Sequence, residues 1–494
     1  MDFSKERSLT YLRAVAQAQH DELVRLRQEL ADARQQLGLS AAVADENTRL
    51  KELLGQREHA LFGRSSERRG KGHPAAKTER TAQTGHGPRE QPDIERETIV
   101  HELPADARTC SCCGGELVEM GSEVESSELV GVRERGFVLE THERKKYRCG
   151  CNGEVKTAPG PVKLLAKGRY SLSFAVEVAI AKYADHLPLE RQAQIMKRDG
   201  LRIDSQTLWD QLDALAVHLG PTYEAIISAI LALPVIHADE TRWLLLDNGK
   251  TKENKTFQAW GLVAPELVAY RILDSRGKEA ARSIFGEYEG VVMADGYTVY
   301  KSLAADTGTF LVANCWAHVR RKFVECEGNF PAEAGAALDF IRQLYAVERE
   351  ATPANRLTLR RERSAPIAQA IFAWAREMKP KVLPRSGIGE AIGYLLNLEE
   401  GLRRFLEDAR IPLDNNASER ALRGVVLGRK NHYGSRSRRG TEVAAMLYTL
   451  MESAKLAGVS PRAYLTAVAE LAIRTPGATL TPESFKSQQV EKPA

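Results

Sequence analysis

Between residues 234 and 295 the chain changes texture, and this stretch restricts the fold more than any other. "PVIHADE", "TFQAWGLVA", "LVAYRIL" and "GVVMADG" are four short runs rich in β-branched and aromatic residues. Runs of that length and composition read as strands. "SRGKEAARSIFGEY", between the third and the fourth, has helical spacing. Strands followed by helices specify an α/β domain with helices packed on its sheet.

Two of these runs end in a carboxylate. "VIHADE" sets Asp239 at the exit of one apolar strand, and "VVMADGY" sets Asp295 at the exit of another. If the two strands are neighbours, the two anions stand close together, which is unfavourable unless a cation lies between them. Mg²⁺ suits the position, because it prefers hard oxygen ligands and leaves places for phosphate oxygens. A third acid would complete a two-metal phosphoryl-transfer site with ions about 3.5–4 Å apart. Glu419, in "DNNASERALRG", is the candidate. It also has two ordinary uses. It lies at capping-box spacing from Asn416, and it precedes Arg423 by one helical turn.

At 494 residues the chain is too long for one core and suggests roughly three domains at about 150 residues each. Residues 1–68 carry Leu9, Ala16, Leu23, Leu30 and Leu37 at sevenfold spacing, with a second track through Leu12, Leu26 and Ala33. That is a coiled-coil seam; the alternative is a lone helix packed on another domain. Residues 69–95 lack large apolar side chains and read as a linker. Residues 96–165 hold five of the seven cysteines, followed by alternating runs such as "GFVLETHERKKYRC" that suggest hairpin strands. Residues 166–232 are helical by pattern. There, Pro188, the turn at Asp199-Gly200 and a cap at Asp204 or Ser205 fit a helix-turn-helix or an ordinary helical hairpin. Residues 233–330 form the first part of the α/β core, 331–408 a helical insertion, 409–440 the second part of the core with Glu419, and 441–494 a C-terminal helical region.

Net charge is only +4, but the cations cluster. Arg320, Arg321 and Lys322 lie together in "CWAHVRRKF", and Arg420, Arg423, Arg429 and Lys430 follow Glu419. Such clusters suit a phosphate backbone, the alternative being a solvated face. No run of about 18 apolar residues is present, so no membrane span is expected. The charged first 30 residues are no signal peptide, which makes the cytoplasm the expected compartment. In a reducing compartment, grouped cysteines read as metal ligands. Cys110 and Cys113 have zinc-knuckle spacing, and Cys149 with Cys151 is the second pair, one residue short of it. His142 and Cys112 are alternative fourth ligands.

"HADET", "ADGYTVY", "CWAHVRRKF" and "PLDNNASERALRGVVLGRKN" resemble, in order, the core blocks of the large transposase of the insertion-sequence sixty-six family. "LFGRSSER", "CSCCGGEL", "YRCGC", "YADHLPLERQ" and "SAKLAGVSPRAYL" extend the resemblance over nearly the whole chain. It implies a multidomain α + α/β protein: a coiled coil, a small zinc-binding domain, a helical DNA-binding region, an RNase H-like core with a helical insertion, and C-terminal helices. It implies a DDE transposase whose triad is Asp239, Asp295 and Glu419. Two Mg²⁺ or Mn²⁺ ions would serve cleavage at transposon ends and transfer of the 3′-hydroxyl into target DNA. It further implies Zn²⁺ at the cysteines, inverted-repeat and target DNA as partners, a homodimer or higher oligomer, small accessory proteins of the same element, and a bacterial, nucleoid-associated location. A DNA-binding regulator, or an RNase H-like nuclease without strand transfer, is the alternative. "HYGSRSRRG", after "GRKN", departs from the family's usual aromatic-Ala-Gly-Ser run.

Overall fold

A computed structural model describes residues 17, 20–29, 50, 98, 112, 136–148, 155–165, 168–246 and 255–490. The heptad seam, the linker and Cys110, Cys113, Cys149 and Cys151 lie wholly or mostly outside the described residues. Residues 62–135 form a unit of their own, in which Thr98 and Cys112 are described and exposed. The other unit contains the sheet and nearly all of the described helices. Within it, a short antiparallel pair, β1 (Lys146–Arg148) and β2 (Val155–Thr157), forms where the alternating run predicts a hairpin.

The four predicted strands form. They are β3 (Val235–Leu245), β4 (Lys255–Val263), β5 (Val268–Leu273) and β6 (Gly290–Ala294). Asp295 directly follows β6 as predicted, but Asp239 lies inside β3 and not at its exit, because pairing with β4 carries β3 on to Leu245. A fifth, β7 (Phe310–Asn314), completes a mixed sheet in the order β5-β4-β3-β6-β7. β3, β4 and β5 run antiparallel, while β6 and β7 run parallel to β3. The long β3 is therefore the central strand and meets both halves of the sheet.

Helices α1 (Leu172–Tyr183), α2 (Leu189–Arg198) and α3 (Ser205–Leu231) precede the sheet. Asp204 caps α3 by accepting the Thr207 N–H at 2.7 Å, as the sequence predicts. α3 is long and apolar enough to cross a membrane by length and composition. Here it is a core helix, with Leu208, Leu212, Leu215 and Leu219 fully buried.

Helices α4 (Lys278–Phe285) and α5 (Thr298–Thr307) join the sheet strands. Helix α6 (Trp316–Cys326) follows β7, and the stretch read as an insertion, 331–408, consists mainly of α7 (Pro331–Glu350), α8 (Ala365–Met378) and α9 (Gly387–Asn397). Together with α6 it has a second core, built on Trp316, Phe323, Phe372, Ile388 and Phe405. After it come α10 (Asn416–His432), α11 (Arg438–Leu456) and α12 (Pro461–Arg474). The helices before the sheet and those after Arg438 share one core with it.

The edge strand β5 shows how these parts lock together. An open edge exposes unpaired backbone groups. Thr449 and Ser453, one turn apart on α11 and both buried, supply hydroxyls to that edge. Thr449 accepts the Tyr270 N–H at 2.9 Å, and Ser453 both accepts from Val268 N–H and donates to Val268 C=O.

Candidate active site on two adjacent parallel strands

The register of β3 against β6 pairs Val235 with Val291, Ile236 with Val292 and His237 with Met293. Continued by two residues, it sets Asp239 level with Asp295 on the adjacent parallel strand. Side chains alternate across a strand, so Asp239 and Glu240 leave β3 on opposite faces. Asp239 lies on the face covered by α10. Its cross-strand partner there is Gly261. A Cβ on Gly261 would stand 3.3 Å from Leu422 Cδ2, so the missing side chain lets α10 settle close to the sheet. Glu419 is one turn before Leu422 on that helix.

Each aspartate is held by local backbone. The Glu240 N–H donates to Asp239 Oδ1 at 2.8 Å, and the Tyr297 N–H donates to Asp295 Oδ1 at 2.8 Å. Asn314, at the end of β7, donates its amide to the Asp295 carbonyl at 2.8 Å. The next residue along, Gly296, must be glycine: a Cβ there would lie 2.5 Å from the Tyr394 ring, whose hydroxyl accepts the Gly296 N–H. The insertion thus grips the loop carrying Asp295.

Burial pushes the Asp239 carboxyl up to about 7, and the charges of Glu240, Asp295 and Glu419 add to it. Glu240 is raised too, first by burial and then by Asp295. It is paired on its own face by Arg276 at 2.6 Å and by the Tyr300 hydroxyl at 2.9 Å. On the face of Asp239, the charges of Asp295 and Glu419 therefore act on one buried carboxyl, and a cation there would relieve the repulsion.

Glu419 makes neither of the ordinary contacts that its spacing offers. Its Oε1 receives Arg321 Nη2 at 3.1 Å and lies 3.5 Å from His318 Nε2, both on α6. Nor does Asn416 cap the helix: the N-cap position is Asn415, with no side-chain capping bond. Asn415 is fully buried and points to β3. Its Nδ2 donates to the Ala238 carbonyl at 2.9 Å, so its Oδ1 is left to accept from His237 Nδ1–H, also at 2.9 Å. Its backbone N–H reaches Cys315 Sγ at 3.1 Å. Asn415 thereby ties the Asp239 strand to the Glu419 helix through its side chain and to the start of α6 through its backbone N–H. Asn415→Ala should cost about 1–3 kcal/mol, since it leaves a buried carbonyl and a buried imidazole without partners. Urea denaturation measures this, and a loss below about 0.5 kcal/mol would remove Asn415 from that role.

The predicted cations fall into two groups. Arg420, Arg423 and Lys430 are exposed and make no hydrogen bond or ion pair among the described residues. Others have protein partners: Arg321 is on Glu419, Lys322 lies 3.6 Å from Glu325, and Arg429 donates to Thr241 Oγ1 and the Arg242 carbonyl. Arg320 is likewise engaged. Among the described residues, no three His, Cys, Asp or Glu side chains are gathered closely enough to hold a metal as they stand. The donor chemistry nonetheless fits a hard divalent cation, with two level aspartates and a glutamate drawn to Arg321 on the same side. Asn415, Glu240 and Tyr394 were not singled out from sequence. Glu240 directly follows Asp239, and Asn415 directly precedes the residue expected to cap α10.

The site thus consists of a mixed sheet with one aspartate inside its central strand, a second just past the adjacent parallel strand, and a glutamate on the helix that packs over them. The sequence pattern described as the transposase IS66 family matches residues 167–443, and the chain belongs to that family. An uncharacterized protein of Sinorhizobium fredii, y4jD, is 32% identical over 416 residues, 79% of this chain and 81% of its own length. A second from the same organism, y4qI, is 32% identical over 389 residues, covering 75% and 71%. A third, y4hP, is 30% identical over 406 residues, covering 76% and 72%.

Proposed function

We propose that this chain is a DDE transposase with an RNase H-like core, which cuts DNA at transposon ends and joins the freed 3′-hydroxyl to target DNA. The observation that carries the reading is the register of β3 on β6, which brings Asp239 level with Asp295 on the face where α10 carries Glu419. Membership of the IS66 transposase family supports it.

In this reading Asp239, Asp295 and Glu419 would hold two divalent ions, Mg²⁺ or Mn²⁺. Bound there, such ions activate the attacking oxygen and neutralise charge on the leaving one. The protein's own groups do the rest. Arg420, Arg423 and Lys430 hold phosphates along the outer side of α10, a contact that positions DNA without reading its sequence. Asn415 sets the spacing between the Asp239 strand and the Glu419 helix. Arg321 and His318 restrain the Glu419 carboxylate. Water displaces the 3′-oxygen at the transposon end, and that 3′-hydroxyl then displaces an oxygen in a target phosphodiester. Each step breaks one P–O bond and makes one, so no covalent protein intermediate is required. The heptads support self-association, and the cysteine spacing supports a zinc site.

A strand-transfer assay with labelled terminal-repeat DNA tests the reading. Labelled ends joined to target DNA are expected. Cleavage without joining would assign the chain to the nucleases, and binding without cleavage to the regulators.

A further inference from the structure

The turn that ends α10 contains an anomaly. Tyr433 sits at the C-cap with φ of +63°, in the left-handed region, and its side chain is 66% exposed. Glycine or asparagine normally takes that position, because other side chains are strained there. Here the strain is not repaid by burial.

The neighbouring residues explain why the turn is rigid but not why it carries a tyrosine. His432 is packed edge-on against Trp243 and Tyr183. A Cβ on Gly434 would lie 2.1 Å from the Leu244 carbonyl, so this residue is pressed onto β3. Ser435 bonds to β3 through both backbone groups, at 2.9 Å to Leu244 and 2.7 Å to Leu246, and its hydroxyl accepts from Trp243 Nε1. Tyr433 is the residue of the turn left facing solvent.

It also ends a charged stripe. Arg420, Arg423, Leu427 and Lys430 follow one another at helical spacing on the exposed face of α10. The stripe begins beside Glu419 and reaches the turn about 20 Å further on, at roughly 1.5 Å per residue. Arg436 stands just beyond, exposed but paired with Glu190 at 3.3 Å. A row of cations closed by a rigid, solvent-facing aromatic ring matches what a nucleic acid strand needs: charge for its phosphates and a flat surface for a base. A base inside a duplex has both faces covered by its stacked neighbours, so the ring suits an unpaired one.

We propose that Tyr433 is a stacking platform for an unpaired base of DNA laid along α10. This rests on DNA being the substrate, as proposed above. Strain at this position is then retained because the ring must stand clear of the protein surface.

Fluorescence anisotropy on the full chain tests it with three labelled DNAs: a blunt duplex, the same duplex with a short single-stranded tail, and that duplex with an abasic tail. Wild type should bind the base-bearing tail about tenfold more tightly than the abasic one. Tyr433→Ala and Tyr433→Gly should lose that preference and keep wild-type affinity for the blunt duplex, while Tyr433→Trp should retain it. Tyr433→Gly should also melt at or above the wild-type temperature, because glycine accepts positive φ without strain. A Tyr433→Gly protein that keeps the tail preference, or that melts lower and binds all three DNAs more weakly, overturns the proposal. Wild-type binding with no tail preference overturns it alone. A wild-type protein that binds none of the three overturns the transposase reading as well.

Discussion

Asp239→Asn, Asp295→Asn and Glu419→Gln should each lower DNA cleavage and joining by on the order of a thousandfold or more, equivalent to about 4 kcal/mol of transition-state stabilisation. An amide keeps the size of the side chain but loses the negative charge that a hard cation requires. DNA binding should stay within about threefold of wild type, because Arg420, Arg423 and Lys430 on α10 are untouched. Stability separates this outcome from simple misfolding. Asp239 is a carboxyl raised by burial and by three neighbouring acids, so replacing it with an uncharged amide should leave the melting temperature unchanged or raise it. Gel assays of cleavage and joining, anisotropy and thermal melts measure the three quantities. Any variant with wild-type cleavage removes its residue from the triad.

The second large effect lies far from the acids. Arg360 has no exposed surface, yet it is charged. It forms a two-pronged pair with Glu348, at 2.9 and 2.7 Å. Its third nitrogen donates to the carbonyls of Phe405, Asp408 and Ile411 at 2.8, 3.1 and 2.9 Å. Those carbonyls belong to the segment that leads from the insertion back toward α10, so the guanidinium pins the chain just before Asn415. Arg360→Ala should destabilise the insertion by about 3 kcal/mol, since it leaves Glu348 with only Arg356, at 3.2 Å, and removes the partner of three carbonyls. Trp316 and Trp374 lie in this part of the protein and report its unfolding in urea. Arg360→Met, which keeps the apolar stem, should recover only part of the loss. A midpoint indistinguishable from wild type for Arg360→Ala would show that water replaces these bonds at no cost.

Much of the core was legible in the sequence because short runs of β-branched and aromatic residues pack well in a pleated sheet. β3, β4, β5 and β6 contain such runs, and Asp239 and Asp295 stand out against them. β7 was missed. "FLVAN" is five residues long, with Leu311 half exposed, and only its pairing with β6 makes it a strand. Spacing along α10 suggested contacts of Glu419 with Asn416 and Arg423, its neighbours in sequence. The contacts it makes are with His318 and Arg321, about 100 residues earlier, which are close only once α6 and α10 meet in the fold.

The sequence alone therefore determined the alternation of strands and helices, the acids that interrupt two apolar runs and the cations that follow Glu419. These are properties of local composition and period, which a single chain segment carries by itself. Tertiary structure alone decided that Asp239 is level with Asp295, that Gly261 admits α10, and that Asn415 reaches a carbonyl 177 residues away. It also decided which cations point to solvent and which pair within the protein. Register, close approach and the satisfaction of buried polar groups depend on which distant segments meet, and hydropathy along the chain does not encode that.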